Sequence, residues 1–271
     1  MTKRRWLITG CSSGMGRALA EHLAIAGEDV LATARDVTTL AALTGPGVLT
    51  ATLDVRDEAQ CAAAVRLAVE RFGGVDVLVN NAGYGQFGTV EEITDAELEA
   101  QFDTNVYGPW RLMRHVLPVW REQGSGHAIF SSSVSASHAF PGLSAYTASK
   151  FALEGLAEAV AAETAPFGVR TTILQLGMFA TGYGDKLRLP AHRIEAYQPL
   201  VAGMLDGARA MGASTQASPP ELFAETVRRI VDMPAPPLRI AFGSTALDLV
   251  DSALATRRND LEAARRHHVP A

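Results

Sequence analysis

The sequence predicts an α/β protein with a doubly wound, seven-stranded, mainly parallel sheet and helices on both faces. Two observations predict this fold class: short aliphatic runs, and Ala-rich helical segments with readable ends that alternate with those runs. The chain has 271 residues, of which 48% are hydrophobic and 20% charged, as is ordinary for a globular protein. We expect residues 1–271 to form a single domain.

Seven short runs of aliphatic and β-branched residues fit strands that are buried on both faces. In chain order they are residues 6–8, 30–33, 48–53, 75–79, 128–130, 169–174 and 238–242. Parallel strands require crossover connections, and the right-handed rule for these leaves few topologies.

Helix signals lie between several of the runs. Helix starts are marked by Asp57, by the capping-box pair Thr94 and Glu97, and by residues 218–221, which place proline in the first turn. Gly73 and Gly74 predict the end of the first of these helices. The second should run toward Leu117, and Gly108–Pro109 is expected to kink or interrupt it.

One long stretch breaks the alternation of strands and helices. Residues 182–217 carry apolar side chains at helical spacing, from Ile194 to Met211. Long insertions in compact domains are often active-site lids, so we predict a substrate lid at about 182–217. An ordinary packed helix is the alternative.

Charge and cysteine content exclude several classes of function. The formal charge is −5, so the basic surface of a nucleic-acid-binding protein is absent. The two cysteines, Cys11 and Cys61, cannot form a disulfide scaffold or a four-thiolate zinc site, and the scattered histidines suggest no metal site. There is neither a run of about 18 apolar residues nor a signal-peptide core, so we expect a cytoplasmic protein without a membrane partner.

The first predicted strand leads into a glycine-rich turn at residues 9–16, Thr-Gly-Cys-Ser-Ser-Gly-Met-Gly. Gly10 can make a tight turn, Gly14 can let the backbone approach a pyrophosphate, and Gly16 can let the next helix pack closely. The N–H groups at the start of that helix are then available to phosphate. A merely flexible turn is the alternative for this motif taken alone.

This turn and four further motifs resemble the signatures of the short-chain dehydrogenase/reductase family. The other motifs are Asn80-Asn81-Ala82-Gly83 after the fourth strand, Asn105, Ser133 at 13 residues before Tyr146, and Tyr146-Thr147-Ala148-Ser149-Lys150. The matches follow the family's order from residue 6 to about 181. The resemblance implies a Rossmann-like fold and hydride transfer between a nicotinamide cofactor and a carbonyl or alcohol.

The resemblance also implies which residues contact the cofactor. These are Gly10, Ser12, Ser13, Gly14, Met15, Gly16, Asp54, Val55, Asn81, Ala82, Gly83, Tyr146, Lys150, Gly177, Phe179 and Thr181. Leu176 stands where the family usually has proline, which predicts a less rigid nicotinamide loop. For Asp54, a helix cap is the alternative.

Tyr146 and Lys150 are four residues apart and therefore share a helix face. A phenol has a pKa near 10 and is a poor base at neutral pH, but a neighbouring ammonium lowers that pKa. The resemblance makes Tyr146 the proton donor and acceptor, and it makes Lys150 also a ligand of the nicotinamide ribose. It further implies that Ser133 holds the substrate oxygen and that Asn105 supports a proton path to Lys150. Taken singly, each could be an ordinary helix or loop residue.

The tip of the second strand bears on the choice of cofactor. Ala34 stands where NAD users of the family carry an acid, and Arg35 can clamp a 2′-phosphate. We therefore predict NADP(H), with NAD(H) as the alternative. Asp36 could turn back to the ribose or neutralise Arg35.

Substrate residues are expected on loops at the carboxyl ends of the strands. The candidates are Gln86, Ser135, His138, Phe140 and Tyr183. These loops are mainly apolar and aromatic, which favours a hydrophobic ketone or aldehyde and its alcohol, although a lone His138 could simply be solvated.

The resemblance implies a homodimer or homotetramer formed through the helices around 94–122 and 145–165. Alternative functions are a non-catalytic NADP(H)-binding sensor or scaffold and an NAD-preferring alcohol dehydrogenase.

Overall fold

The computed structural model describes residues 3–181, 187–212, 214 and 217–267. Its seven strands are β1 (Arg5–Ile8), β2 (Asp29–Ala34), β3 (Val48–Thr52), β4 (Val77–Asn80), β5 (Gly126–Ser131), β6 (Val169–Leu176) and β7 (Arg239–Phe242). They form one sheet in the order β3-β2-β1-β4-β5-β6-β7, and every neighbouring pair is parallel. The predicted fold class is confirmed.

The helices cover both faces of this sheet. They are α1 (Gly14–Ile25), α2 (Glu58–Phe72), α3 (Asp95–Phe102), α4 (Gly108–Gln123), α5 (Ser144–Thr164), α6 (Gln198–Gly212), α7 (Pro220–Asp232) and α8 (Ala246–Arg266). On one face, Trp6 and Ile8 of β1 share a core with α1 and α7; on the other, Leu7 packs with α2, α4 and α5. This alternation explains why β1 is apolar at each of these positions.

Most of the predicted helix ends are confirmed. The Asp57 carboxylate accepts hydrogen bonds from the backbone N–H groups of Ala59 and Gln60, and α2 ends at Gly73 in the left-handed conformation. Thr94 and Glu97 form the predicted capping box. The capping of these helices was predictable because each signal is local in sequence.

The predicted long helix from Thr94 toward Leu117 is broken earlier than expected. A π-helical turn at Asp103–Tyr107 joins α3 to α4, and α4 begins at Gly108 with Pro109 in its first turn. Pro109 therefore lies where its missing N–H costs no helical hydrogen bond, and the interruption lies just before it.

The stretch predicted as a lid contains the expected helix. Val201 and Leu205 of α6 are buried against Phe87, and the backbone N–H of Phe87 donates to the carbonyl oxygen of Arg188 at 2.7 Å. The role of this stretch as a lid stays a prediction. Across the described ranges, no helix has the length and apolar character needed to span a membrane.

Candidate active site

The predicted site residues gather at one edge of the sheet, where the carboxyl ends of all the strands lie. The glycine-rich turn follows β1, Arg35 follows β2, Asp54 follows β3, Asn81 follows β4, Ser133 follows β5 and Gly177 follows β6. The chain leaves β1 toward β2 on one side and returns to β4 on the other, and ligands bind at such a switch point. A cavity of about 630 Å³ lies at the opposite edge, beside Arg5, Val77 and Gly126, and none of these site residues lines it.

The glycine-rich turn has the geometry that its sequence predicts. Gly10 and Gly14 have φ angles of +72° and +59°, which side chains rarely adopt. A Cβ at Gly16 would lie 2.5 Å from the carbonyl oxygen of Gly10, so this position requires glycine. No acidic side chain lies in the first turn of α1. The turn and the positive end of the helix dipole therefore fit the pyrophosphate of a dinucleotide.

Thr9 connects this turn to the loop after β4. Its hydroxyl oxygen accepts hydrogen bonds from the backbone N–H groups of Asn81 and Ala82, at 3.0 and 2.9 Å. The Asn81 side-chain amide donates back to the carbonyl oxygen of Thr9 at 2.9 Å. This role of Thr9 was not predicted from the sequence. Its position directly before Gly10 was the one local signal.

Lys150 is buried on α5 and its ammonium is held in place. Lys150 Nζ donates a 2.8 Å hydrogen bond to the carbonyl oxygen of Ser131, and it lies 5.6 Å from the centre of the Tyr146 ring. Burial lowers the pKa of Lys150 to about 8, while the negative charge of Glu154 acts in the opposite direction. Lys150 is thus mostly charged at neutral pH and loses its proton as the pH rises through about 8.

Tyr146 lies on the same helix as Lys150, and Ser133 lies two residues after Ser131, the acceptor of the Lys150 ammonium. Both side chains are buried. Their exposed fractions are 9% and 7%, so neither is a solvent-exposed surface residue. The Ser133 hydroxyl oxygen accepts a hydrogen bond from the backbone N–H of Ser135 at 3.1 Å. That bond leaves the Ser133 hydroxyl proton able to donate to another oxygen.

Asn105 lies in the π-helical turn and is 1% exposed. Its amide nitrogen donates to the carbonyl oxygen of Tyr84 and to the Ser149 hydroxyl, at 3.0 and 3.1 Å, and its amide oxygen accepts from the Tyr84 N–H at 3.2 Å. A Cβ at Gly83 would lie 3.2 Å from Asn105 Oδ1 and 3.8 Å from Lys150 Nζ. Both polar groups therefore approach the same glycine, as a proton path between them would require.

The tip of β2 carries an exposed arginine. Ala34 is buried at the strand end, and Arg35 projects from the surface beside it. Asp36 does not pair with Arg35: its carboxylate accepts hydrogen bonds from the N–H and the hydroxyl of Thr38, at 3.0 and 2.6 Å. The suggested neutralisation of Arg35 by Asp36 is therefore wrong, because Asp36 caps the short turn that follows.

Asp54 and Val55 follow β3. The Asp54 carboxylate pairs with Arg56 at 2.6 Å, and this hydrogen bond is the main cause that lowers the pKa of Asp54. The positive charge of Arg35 lowers the pKa of Asp54 slightly further. Asp54 does not cap α2, since Asp57 does so. Val55 is buried.

Leu176 and the loop after β6 begin next to β7, and the expected lower rigidity of this loop stays a prediction. Leu176 is the last residue of β6 and is buried, and the Gly177 N–H donates to the carbonyl oxygen of Phe242 at 3.0 Å. The Phe179 ring packs edge-on against Phe223 and Phe242, so only its backbone is available for a cofactor. A Cβ at Gly14 would lie 3.2 Å from the Thr181 Cβ, which places Thr181 beside the glycine-rich turn.

The described substrate candidates lie on the loops after β4 and β5, and the first of these loops contacts the lid stretch. The rings of His138 and Phe140 are 4.8 Å apart, and Ser135 is buried. Gln86 is also buried, where its N–H donates to the side chain of Gln101 and its backbone pairs with Arg188. Tyr183 lies outside the described residues. In the described ranges, no cluster of three or more His, Cys, Asp or Glu side chains could hold a metal ion.

The parallel α/β fold, the crevice between β1 and β4, and the buried pair of Tyr146 and Lys150 define the class of this protein. It is a dinucleotide-dependent oxidoreductase. Residues 4–191 match the family model described as short chain dehydrogenase, and the chain belongs to that family. It is therefore an oxidoreductase acting on CH–OH groups. It is 36% identical to "Oxidoreductase BOA17" of Botryotinia fuckeliana over 92% of both chains. It is 40% identical to human "17-beta-hydroxysteroid dehydrogenase type 1" over 67% of this chain and 58% of that protein.

Solved structures show the same architecture. A short-chain dehydrogenase from Streptomyces avermitilis has a TM-score of 0.90 and 37% identity, over 98% of this chain and 97% of that one. A Burkholderia phymatum relative in complex with NAD has a TM-score of 0.80 and 26% identity, over 99% and 96%. A metagenomic short-chain oxidoreductase in complex with NADP has a TM-score of 0.69 and 26% identity, over 88% and 95%. Relatives of this fold therefore bind either dinucleotide.

Proposed function

We propose that this protein is an NADP(H)-dependent oxidoreductase that interconverts a hydrophobic ketone or aldehyde and the corresponding alcohol, with Tyr146 as the general acid and base. The observation that carries this proposal is the burial of Tyr146 and Lys150 on one face of α5, next to the Ser131–Ser133 segment. An enzyme that moves a proton at a carbonyl oxygen needs such a donor in a site from which water is excluded.

The chain's own residues account for the proton and the orientation of the substrate. Bound nicotinamide supplies the hydride or accepts it. In reduction, Tyr146 donates a proton to the carbonyl oxygen; in oxidation, it takes the proton from the alcohol. The charge of Lys150 stabilises the phenolate that reduction leaves behind, and the Ser133 hydroxyl donates a hydrogen bond to the substrate oxygen.

The preference for NADP(H) is supported by the tip of β2. Ala34 offers no carboxylate to ribose hydroxyls, and Arg35 is exposed, while the Asp36 carboxylate is bonded to Thr38 instead of Arg35. Arginine binds a phosphate group through paired, charge-assisted hydrogen bonds. The 2′-phosphate of NADP(H) at this position could bind the Arg35 cation. The ribose hydroxyls of NAD(H) would find no carboxylate acceptor at Ala34.

A hydrophobic substrate is supported by the loops around the site. His138 and Phe140 form an aromatic pair, and Leu143 packs with Phe87 and α6 beside them. Similarity to a human protein named as a hydroxysteroid dehydrogenase is consistent with an apolar alcohol or ketone as substrate. Closure of residues 182–217 over the substrate would complete the pocket.

We further propose that the chain forms a homo-oligomer through α4 and α5. Tyr107, directly before α4, Trp110 in its first turn, and Phe151 on α5 are about half exposed, which is unusual for side chains of this size. A cytoplasmic location is supported by the two free, buried thiols of Cys11 and Cys61.

The test is a panel of carbonyls and alcohols, followed by absorbance at about 340 nm with each reduced or oxidised nicotinamide cofactor. We expect turnover of apolar ketones, aldehydes or alcohols, with kcat/KM higher for NADP(H) than for NAD(H). Tight binding of the nucleotide without turnover of any carbonyl would favour the non-catalytic sensor. Turnover with a clear preference for NADH would favour the NAD-dependent alcohol dehydrogenase.

A further inference from the structure

One buried carboxylate at this site has no part in the mechanism above. Glu154 lies on α5, one helical turn beyond Lys150, and its side chain is 8% exposed. Its Oε1 accepts hydrogen bonds from the Ser132 hydroxyl at 2.8 Å and from the Gln175 amide at 3.1 Å. Its Oε2 accepts from Arg239 at 2.8 Å. A buried carboxylate is costly unless it is paired, so this arrangement is well defined.

The partners of Glu154 come from three strands beside the catalytic helix. Ser132 follows β5 and lies between Ser131, whose carbonyl oxygen holds Lys150, and Ser133. Gln175 belongs to β6 and Arg239 to the edge strand β7. Through Ser132, Glu154 therefore ties to α5 the segment that carries both the acceptor of Lys150 and the predicted substrate-binding Ser133.

We propose that Glu154 is a positioning residue of this active site, which keeps the Lys150 ammonium charged and the Ser131–Ser133 segment fixed against α5. The catalytic importance of Glu154 rests on the proposed function. Its effect on the charge of Lys150 does not, because that effect is a property of the protein without substrate or dinucleotide. Side chains at i and i+4 of a helix are neighbours, and Glu154 favours the charged form of Lys150, which burial disfavours.

The other charges near Glu154 determine how its removal should act. Arg239 of β7 bonds to both Glu154 and Glu158, the next carboxylate along α5. From α8, Arg257 lies over the Phe151 ring and donates to the carbonyl oxygen of Ser137, whose hydroxyl accepts from Gln175. Without Glu154, the burial of Lys150 would act with no opposing negative charge from this carboxylate. The Lys150 proton would then be lost at a lower pH.

The chain offers a direct measurement, because its sequence contains only three lysines: Lys3, Lys150 and Lys186. We would label lysine with ¹³C at Cε, assign the Lys150 signal with Lys150→Arg, and follow its titration by NMR without added dinucleotide. In Glu154→Gln we expect the midpoint to fall by about 1 pH unit from its value in the unsubstituted chain. Superimposable titrations of Glu154→Gln and the unsubstituted chain would overturn the proposal.

Glu158→Gln is the matched control. Glu158 lies on the same helix and pairs with the same arginine, but its side chain is 53% exposed. Solvent screens an exposed charge, so we expect the Lys150 midpoint to stay unchanged in Glu158→Gln. An equal shift in both variants would contradict a specific role for Glu154.

Arg239→Gln keeps the proposal testable if Glu154→Gln does not fold. This substitution removes the cation that neutralises part of the Glu154 charge, so the Lys150 midpoint should rise. No change, or a fall, would contradict the proposal.

The NMR titration also separates this proposal from the proposed function. If the panel of carbonyls shows no turnover, the proposed function fails, while the Lys150 titration still decides the role of Glu154. If turnover is found, the alkaline limb of kcat/KM for carbonyl reduction should move to lower pH in Glu154→Gln and return in Glu154→Asp. A purely structural role would lower kcat/KM at every pH without moving that limb.

Discussion

The Lys150 ammonium donates a 2.8 Å hydrogen bond to the carbonyl oxygen of Ser131, two residues before Ser133. Burial lowers the pKa of Lys150 to about 8. Lysine is charged below its pKa and neutral above it, so the cation that supports Tyr146 is lost as the pH rises past about 8. The strand end that presents Ser133 is thus joined directly to the titrating group.

This relationship predicts the pH dependence of the proposed reduction. We expect kcat/KM to fall above about pH 8, by up to tenfold for each further pH unit, because neutral Lys150 no longer stabilises the phenolate. The measurement is carbonyl reduction between about pH 6 and pH 10, with the preferred dinucleotide. A rate that stays level across the alkaline range would show that Lys150 is not the titrating group.

Substitution of Arg35 tests the cofactor preference. Loss of its charge-assisted hydrogen bonds to a 2′-phosphate should cost about 2 kcal/mol, so Arg35→Ala should raise the Kd for NADPH by about 30-fold. The Kd for NADH should change little, because NADH has no such phosphate. Fluorescence titration of both nucleotides measures this difference.

Arg71→Ala is the control for that experiment, since Arg71 is also exposed but lies in the last turn of α2. It should leave both Kd values unchanged. Equal weakening of NADPH and NADH by Arg35→Ala would count against the NADP(H) preference.

Glu92 is predicted to anchor the lid stretch. Its carboxylate accepts hydrogen bonds from the Ile194 N–H at 3.0 Å and from the Gln198 amide at 3.1 Å. Burial raises the pKa of Glu92, but the N–H groups of Ile194 and Thr89 outweigh it and lower that pKa below its usual value. Glu92 is therefore ionised at neutral pH, and Glu92→Gln should speed tryptic cleavage after Arg188 or Arg193 about tenfold.

Glu91→Gln provides the comparison, because Glu91 is exposed and bonds to the described part of this stretch through the Tyr197 hydroxyl. It should change the cleavage rate little. In the unsubstituted chain, bound dinucleotide and substrate should slow cleavage. Cleavage that ignores both ligands would favour the alternative of an ordinary packed helix.

The fold and the positions of the site were largely predictable because their signals are local. Each strand is a short aliphatic run, and the caps Asp57 and Thr94 are recognised from a few neighbouring residues. The glycines of the turn are required by positive φ angles or by a close backbone approach. In a parallel sheet, residues that directly follow strands meet at one edge. That rule alone brings Arg35, Asn81 and Ser133 to the same crevice.

The remaining features depend on contacts between residues far apart in the chain. Glu154 meets Arg239 across 85 residues, and Glu92 meets Ile194 across 102. No periodicity marks such pairs, because only the assembled sheet brings them together. The π-helical turn at Asp103–Tyr107 was likewise missed, because Gly108 and Pro109 are the residues that signal a helix break in the sequence, and the break was predicted there.

The most direct test of the proposed function is single-turnover carbonyl reduction by Tyr146→Phe, because phenylalanine keeps the buried ring and removes only its hydroxyl. We expect the rate of dinucleotide oxidation to fall by about 10³-fold, while the Kd of the nucleotide stays within about twofold of its original value. A Tyr146→Phe protein that reduces the same carbonyl at the original rate would contradict the role of Tyr146 as proton donor.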